Sequence, residues 1–174
     1  DIFLSTYTPA DHVNLLLADG TGHGLAAAIN IIPVVEVFYG MSAKGFNISS
    51  IAQELNHKIK QLLPTERFVA ATLVSIDFSE RILHIWNGGN PPALFVDENG
   101  MIQRSWKSIH PALGILQDHE FDATSEVFHW SGPGQLIMCS DGLIEAQNRD
   151  GEEFGPARHE HIFSTTPASQ SHDA

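Results

Sequence analysis

The chain has 174 residues, of which 43% are hydrophobic and 17% charged, and its formal net charge is −12. This composition is typical of one globular domain with a real core. The acidic excess argues against a protein that coats nucleic acid, because that function needs clustered lysine and arginine, and it equally disfavours an anionic membrane surface. The single cysteine, Cys139, rules out a disulfide within one chain, which fits a reducing compartment.

The first predicted elements along the chain are two strands followed by a helix. Residues 2–7 and 13–18 are predicted to be two strands joined by a short turn, and the glycine loop DGTGHG follows them. Residues Leu25–Phe38 are apolar on almost every side, which predicts a buried helix. Pro33 falls inside this helix, so we expect it to kink or divide it.

A second helix is predicted to begin at Ser49 or Ser50 and to end at Leu63. Ser50 and Gln53 have the spacing of a capping box, and apolar residues recur on one helical stripe. The stripe consists of Ile51, Leu55, Ile59 and Leu62.

From Phe68 onward the hydrophobic period changes to two, which is the period of a strand. Asn99-Gly100 is a strong hairpin signal, and a helix is predicted over Leu143–Gln147. Hairpins with inserted helices predict an α+β sandwich and not a series of βαβ units. The predicted strands are 68–78, 81–86, 93–96, 101–106, 127–130 and 135–140.

The glycine loop after the second strand does not have the spacing of a nucleotide-binding loop. Its glycines run G-x-G-x-G, and Leu25 stands where a dinucleotide fingerprint has its third glycine. Asp19 would direct a negative charge at the pyrophosphate. The loop also lacks the Lys-Ser/Thr pair of a P-loop. Both nucleotide interpretations are therefore disfavoured.

A metal site is the second interpretation of this loop. Asp19-Gly20 and Asp141-Gly142 repeat one pattern, an aspartate at the end of a predicted strand followed by glycine. If the first two strands are antiparallel, Asp1 lies at the same end as Asp19. Such carboxylates repel each other unless cations lie between them, and oxygen ligands suit Mg²⁺ or Mn²⁺. Taken singly, each aspartate can also be a helix N-cap or a turn residue.

These motifs resemble those of the metal-dependent protein phosphatases of the protein phosphatase 2C class, in the bacterial branch typified by SpoIIE and RsbU. The resemblance spans roughly residues 1–163, in the family's order and spacing. The matching residues are Asp1, Asp19 to Gly24 (DGTGHG), Phe68 to Ile76 (FVAATLVSI), Gly88 to Ala93 (GGNPPA), Ser140 to Glu145 (SDGLIE) and Phe154-Gly155.

The resemblance implies a four-layer α-β-β-α sandwich of two antiparallel sheets flanked by helices. It implies two Mn²⁺ or Mg²⁺ ions, with Asp19 bridging them, the Gly20 carbonyl adding a ligand, and Asp1 and Asp141 each binding one ion. Asp19 and Asp141 would thereby be the catalytic residues, and the nucleophile would be a metal-bound water. The phosphatase domain is expected over 1–163 and truncated at both ends, because the sequence begins inside a predicted strand and lacks the family's final Asp-Asp motif. Residues 164–174 are expected to be a disordered tail or linker.

The function that the resemblance implies is hydrolysis of phosphoserine or phosphothreonine on a protein, such as an anti-sigma-factor antagonist. An upstream sensor or receiver domain and a cytoplasmic location are expected, and a homodimer is left open. His23 could contact the phosphate or pack against the following helix. Gly22 lies beside His23, and both residues are assigned to substrate binding or regulation. The alternative is a catalytically impaired phosphatase fold that binds a partner without turnover.

Overall fold

The computed structural model describes residues 1–20, 25–64, 67–155 and 158, apart from the side chains of 25–30. The described residues form two compact units. The first comprises residues 1–90 and 108–129, and the second begins with 91–107 and resumes at 130. The elements in chain order are β1 Ile2–Tyr7, β2 Val13–Gly20, α1 Leu25–Ser42, α2 Ile48–Leu62, β3 Val69–Asp77, β4 Ile82–Gly88, β5 Ala93–Asp97, β6 Ile102–Trp106, β7 Glu126–His129, β8 Gly134–Ile137 and α3 Asp141–Ile144.

The first unit is built on a five-stranded antiparallel sheet with the order β1-β2-β3-β4-β7. Burial alternates along β2, because successive side chains of a strand point to opposite faces. Core side chains on the face of Leu16 and Leu73 form one cluster with Phe38 of α1 and Leu55 of α2. The expected hairpins are confirmed, and these two helices cover one face of the sheet.

Strand β3 lies in the middle of this sheet, paired with β2 and β4. Its central residues, from Ala71 to Val74, are buried on both faces. The sequence pattern of β3, which is apolar at both even and odd positions, is explained by this central place.

Helix α1 corrects the expectation that Pro33 divides it, since it runs from Leu25 to Ser42. A proline inside a helix removes one backbone hydrogen bond, and packing of the turns that follow Pro33 offsets that loss. Val34 and Phe38 are fully buried, whereas Ile32 is 56% exposed. From residue 31 onward, where the side chains are described, the helix is therefore buried along one stripe and not all round.

Helix α2 begins earlier than expected, because its N-cap is Asn47 and not Ser50. The Oδ1 atom of Asn47 accepts a hydrogen bond from the Ser50 N–H at 2.8 Å. Ile51 is buried as predicted, but Leu62 is 58% exposed at the last position of the helix. The fully buried Asn56 completes the inward stripe.

Asn56 connects α2 to the loop that follows β6. Its Nδ2 donates to the Leu116 carbonyl at 3.3 Å and to Asp118 Oδ1 at 3.1 Å, and its Oδ1 accepts from the Gly114 N–H at 2.9 Å. Next to it, His57 Nδ1 lies 2.6 Å from Asp118 Oδ2. One buried amide thus satisfies three groups of a loop that has little regular structure.

The contact between His57 and Asp118 predicts that the free energy of unfolding depends on pH. The His57 hydrogen bond, followed by that of Asn56, holds the pKa of Asp118 below its usual range, although burial opposes the shift. An aspartate with a lowered folded-state pKa stabilises the fold above its unfolded pKa, and this stabilisation is lost as the pH falls through the folded pKa. We therefore expect Asp118→Asn to lower the urea midpoint at neutral pH, by a difference that shrinks in acid. A difference that is the same at every pH would contradict this assignment.

The second unit contains a three-stranded antiparallel sheet with the order β6-β5-β8. The predicted Asn99-Gly100 hairpin is confirmed, since Gly100 has φ 80° in the turn between β5 and β6. Gly134 starts β8 where a Cβ would lie 2.6 Å from the Phe95 ring, so a larger residue would displace that ring. Strand β8 ends at Ile137 and not at Ser140.

Helix α3 differs from the predicted Leu143–Gln147 helix, because it begins at Asp141 and ends at Ile144. Ser140 is its N-cap residue, and Glu145 caps its C-terminus instead of lying in its first turn. Among the described helices, none is long and apolar enough to cross a membrane. The predicted tail, 164–174, lies outside the described residues.

Candidate metal centre

Asp1 and Asp19 lie together at one end of the β1–β2 hairpin, as the sequence predicts. The ladder pairs Ile2 with Ala18, so the next position outward sets Asp1 opposite Asp19. The backbone nitrogen of Asp1 is 3.9 Å from Asp19 Oδ1. The Asp1 side chain is 52% exposed and that of Asp19 is 24% exposed. The two carboxylates therefore share a partly enclosed strand end that solvent still reaches.

This pair fits a divalent cation that prefers oxygen ligands. Like charges directly opposite on neighbouring strands destabilise a sheet, and a cation between them removes that cost. Gly20, which follows Asp19, is buried at the end of β2 and pairs with Val69. Two carboxylates and a backbone carbonyl are the donor set of Mg²⁺ or Mn²⁺, not of zinc. Within the described part of either unit, no three His, Cys, Asp or Glu side chains form a metal-binding group.

Asp141 belongs to the second unit, where it is the first residue of α3. It is exposed, and it follows the N-cap Ser140. A carboxylate in the first turn of a helix is favoured by the partial positive charge there, which gives Asp141 a local role besides metal binding. The assignment of Asp141 as a ligand thus stays a prediction, as do those of Asp1, Asp19 and Gly20. Gly22 and His23 lie outside the described residues.

Asn90, which belongs to the matched GGNPPA motif, lies near this strand end and has a role that the sequence analysis did not predict. It is 3% exposed, and its Nδ2 donates to the Leu17 carbonyl at 3.2 Å and to Thr72 Oγ1 at 3.0 Å. Thr72 Oγ1 in turn donates to Asn87 Oδ1 at 3.2 Å. Leu17 stands two residues before Asp19, on the same face of β2. This amide network therefore fixes the strand end that carries Asp19.

The turn that carries Asn90 is shaped by close packing. Gly89 has φ 90°, and a Cβ there would lie 3.0 Å from the Cβ atoms of Ala112 and Ala70. Glycine is required at this position, since other residues are strained at that φ and lack the space. The Asn-Gly-Gly-Asn-Pro-Pro segment is typical of a turn, but a turn pattern alone does not reveal that its last asparagine is buried.

Removing the Asn90 amide is expected to destabilise the first unit. Asn90→Ala removes a buried amide and leaves the part-buried Leu17 carbonyl without its side-chain donor, which costs about 2 kcal/mol. The loss would be measured as a lowered urea midpoint at unchanged slope. Asn99→Ala, in the exposed β5–β6 turn, is the matched control and should change stability far less. Equal effects of the two substitutions would rule out the network.

The chain is similar in sequence to a known protein family. A family model described as Stage II sporulation protein E (SpoIIE) matches residues 9–174. A curated relative, the phosphoserine phosphatase RsbP of Bacillus subtilis, is 24% identical over 135 residues, which are 75% of this chain and 33% of that protein. The chain thus spans about a third of the length of the curated relative it matches.

Solved structures share the fold. The SiaA-PP2C domain of Pseudomonas aeruginosa matches with a TM-score of 0.80 and 18% identity, over 97% of this chain and 66% of that one. The structure of RsbX in complex with magnesium matches with a TM-score of 0.65 and 15% identity, over 94% of this chain and 79% of that one. The fold is therefore that of protein phosphatase 2C, with two antiparallel sheets and few helices.

Proposed function

The chain belongs to the SpoIIE family of bacterial protein phosphatases of the protein phosphatase 2C class, and on that premise we propose that it hydrolyses phosphoserine or phosphothreonine on a signalling protein. The observation that carries the proposal is the pairing of Asp1 with Asp19 at one end of the β1–β2 hairpin. RsbP, a relative of 24% identity, is a phosphoserine phosphatase, which supports this substrate class.

Asp19 is the central ligand in this proposal. It would be shared between two Mn²⁺ or Mg²⁺ ions, Asp1 would bind one ion and Asp141 the other, and the Gly20 carbonyl would add a ligand. When bound, such ions lower the pKa of a coordinated water and offset the charge of the phosphoryl oxygens. The magnesium in the RsbX structure supports this choice of metal.

The chain's own residues contribute rigidity and charge to the site. Paired strands hold Asp19 in place, since Asp19 also pairs with Ala70 on the central strand β3. Asn90 bonds the Leu17 carbonyl and so limits movement of the strand end. Ligands that a sheet holds in place need less reorganisation when the substrate binds and reacts. This preorganisation lowers the activation free energy of the reaction.

The proposed partner is a phosphorylated regulator of the anti-sigma-factor antagonist type. The proposed setting is the cytoplasm, with an upstream sensor or receiver domain in the complete protein. The four-layer stacking of sheets and helices and the phosphatase domain bounds of 1–163 stay predictions, as does a homodimer.

Phosphate release from matched phosphopeptides tests the proposal. Full-length protein with Mn²⁺ should release phosphate from a phosphoserine peptide, and from the same peptide bearing phosphothreonine. Chelation of the metal should stop the reaction, and added Mn²⁺ should restore it. A rate that chelation leaves unchanged, or release confined to phosphotyrosine, would contradict the proposal.

A second candidate is a phosphatase fold that binds its partner without turnover. It is favoured by one observation, namely that Asp141 is the first residue of α3, where the helix end favours its carboxylate without a metal. Binding of a phosphoserine protein without phosphate release, at any Mn²⁺ concentration, would establish this function instead.

A further inference from the structure

Polar side chains form a row across the helix-facing side of the first unit's sheet. Asn14 on β2 pairs with Ser75 on β3, and Ser75 pairs with His84 on β4. The next row on the same face contains Leu16 and Leu73, which are fully buried in the core. A sheet face that packs against helices is expected to be apolar, so this row requires another explanation.

The row lines a cavity of about 420 Å³. The opposite side is formed by the turn between α1 and α2 and by the start of α2, from Gly45 to Ser49. His12 and Asp77 also line the cavity. Asp19 is five residues along β2 from Asn14, so the cavity lies about 17 Å from the candidate metal centre at the usual rise of a strand.

The buried amide of Asn14 is incompletely satisfied. Asn14 is 1% exposed, and its Nδ2 donates to Ser42 Oγ at 3.0 Å. Its Oδ1 has no hydrogen-bond partner among the described residues. Burying such an atom costs about 1–3 kcal/mol unless something else supplies a partner. Because either end of an amide can face Ser42, Asn14 offers the cavity an acceptor or a donor.

The start of α2 adds backbone donors to the same cavity. The helix has 15 residues, and its N-cap Asn47 accepts the N–H of Ser50. The N–H groups of Ile48 and Ser49 are in the first turn, where the helix itself supplies no acceptor. This end of a helix carries about half a positive charge and attracts anions.

The charged side chains around the cavity limit a ligand to at most one negative charge, because Asp77 is the one carboxylate among the described lining residues. No lysine or arginine is among its described lining residues, so a phosphate dianion would lack the cations that usually hold it. Asp77 is already paired, since its Oδ2 lies 3.2 Å from His12 Nε2 and its Oδ1 accepts from the Ser79 N–H at 2.9 Å. Ile48 and Ile82 supply apolar walls.

We propose that this cavity is a binding site for a small organic carboxylate with a short apolar body. The carboxylate accepts hydrogen bonds from the N–H groups at the start of α2. The row of Asn14, Ser75 and His84 provides the other polar contacts, and the body packs against the isoleucines. This site is separate from the candidate metal centre, and its existence does not depend on the proposed phosphatase activity.

Isovalerate and its amide, isovaleramide, are matched probes that differ in charge and not in shape. Each would be titrated into the ¹⁵N-labelled full chain while backbone amide shifts are recorded. Isovalerate should give saturable shifts at Ile48 and Ser49 with a Kd of about 1 mM or lower. Isovaleramide should bind at least about tenfold more weakly, because it carries no charge for the helix end.

His84→Ala tests the role of the polar row. It should weaken isovalerate binding by about tenfold, since a charge-assisted hydrogen bond is lost. His119→Ala, which removes an exposed histidine of the same unit that does not line the cavity, should leave the Kd unchanged. No saturable shift with isovalerate, equal binding of the amide, or equal Kd values for the two variants would overturn the proposal.

Discussion

Asp19→Asn is expected to lower phosphate release from a phosphoserine peptide by more than about 100-fold, because changes at residues that merely support a metal ligand already cost 10–100-fold. The amide is almost the same size as the carboxylate but is a weaker ligand without charge. It also relieves the repulsion between Asp19 and Asp1, so the metal-free protein should be no less stable than the wild type. Initial rates at saturating Mn²⁺ and urea midpoints without metal measure the two effects.

Asp11→Asn is the matched control for Asp19→Asn. Asp11 lies in the turn at the opposite end of the same hairpin, where it is exposed and has φ 60°. Asparagine adopts this left-handed conformation readily, so the substitution makes the same change of charge without strain. Its rate should stay within about twofold of the wild type, since surface substitutions of this kind are usually within 0.5 kcal/mol. An equal fall in both variants would mean that Asp19 acts only through overall charge.

Trp86→Ala is expected to cost about 4 kcal/mol, which is a large part of the stability of a domain of this size. Trp86 is 1% exposed, and its Nε1 donates to the Asp122 carbonyl at 3.0 Å. Its ring stacks on His110 with centroids 5.3 Å apart and contacts Phe121 at 5.6 Å. The substitution leaves a cavity between the sheet and the loop that follows β6. Equilibrium unfolding in urea measures the loss in the free energy of unfolding. Circular dichroism is used instead of fluorescence because the substitution removes a tryptophan.

Tyr7→Ala controls for the loss of an aromatic side chain in the same sheet. Tyr7 ends the edge strand β1 and is 73% exposed. Little apolar surface is buried there, so the change should remain within about 0.5 kcal/mol. A Trp86→Ala variant as stable as Tyr7→Ala would show that the core does not depend on this ring.

The pairing of Asp1 with Asp19 could be predicted because it depends on local information. Two short apolar runs separated by turn residues form a hairpin, and the register then follows from the alternation of side chains. Both aspartates flank these runs, so their meeting needs no knowledge of the rest of the chain. Asp141 is separated from them by more than 120 residues of sequence. The prediction that Asp141 binds a metal ion together with Asp1 and Asp19 therefore depends on the family resemblance.

The positions that could not be predicted are those where tertiary contacts decide the outcome. Pro33 lies inside one long helix whose following turns pack into the core through Val34 and Phe38. Asn56 and Asn90 look like ordinary polar residues in the sequence, yet both are buried, and backbone groups distant in the chain bond to them. Propensity and periodicity describe neighbours along the chain, whereas these partners are more than 50 residues away.

Calorimetric titration of Mn²⁺ into the metal-free full-length protein tests the central claim most directly. The wild type should bind two ions per chain, Asp141→Asn should lose one of them, and Asp19→Asn should lose both, because Asp19 is the shared ligand. Asp11→Asn should titrate like the wild type. Absence of Mn²⁺ binding to the wild type, or the same stoichiometry and Kd in Asp19→Asn, would contradict the assignment of this strand end as the metal centre of a phosphatase.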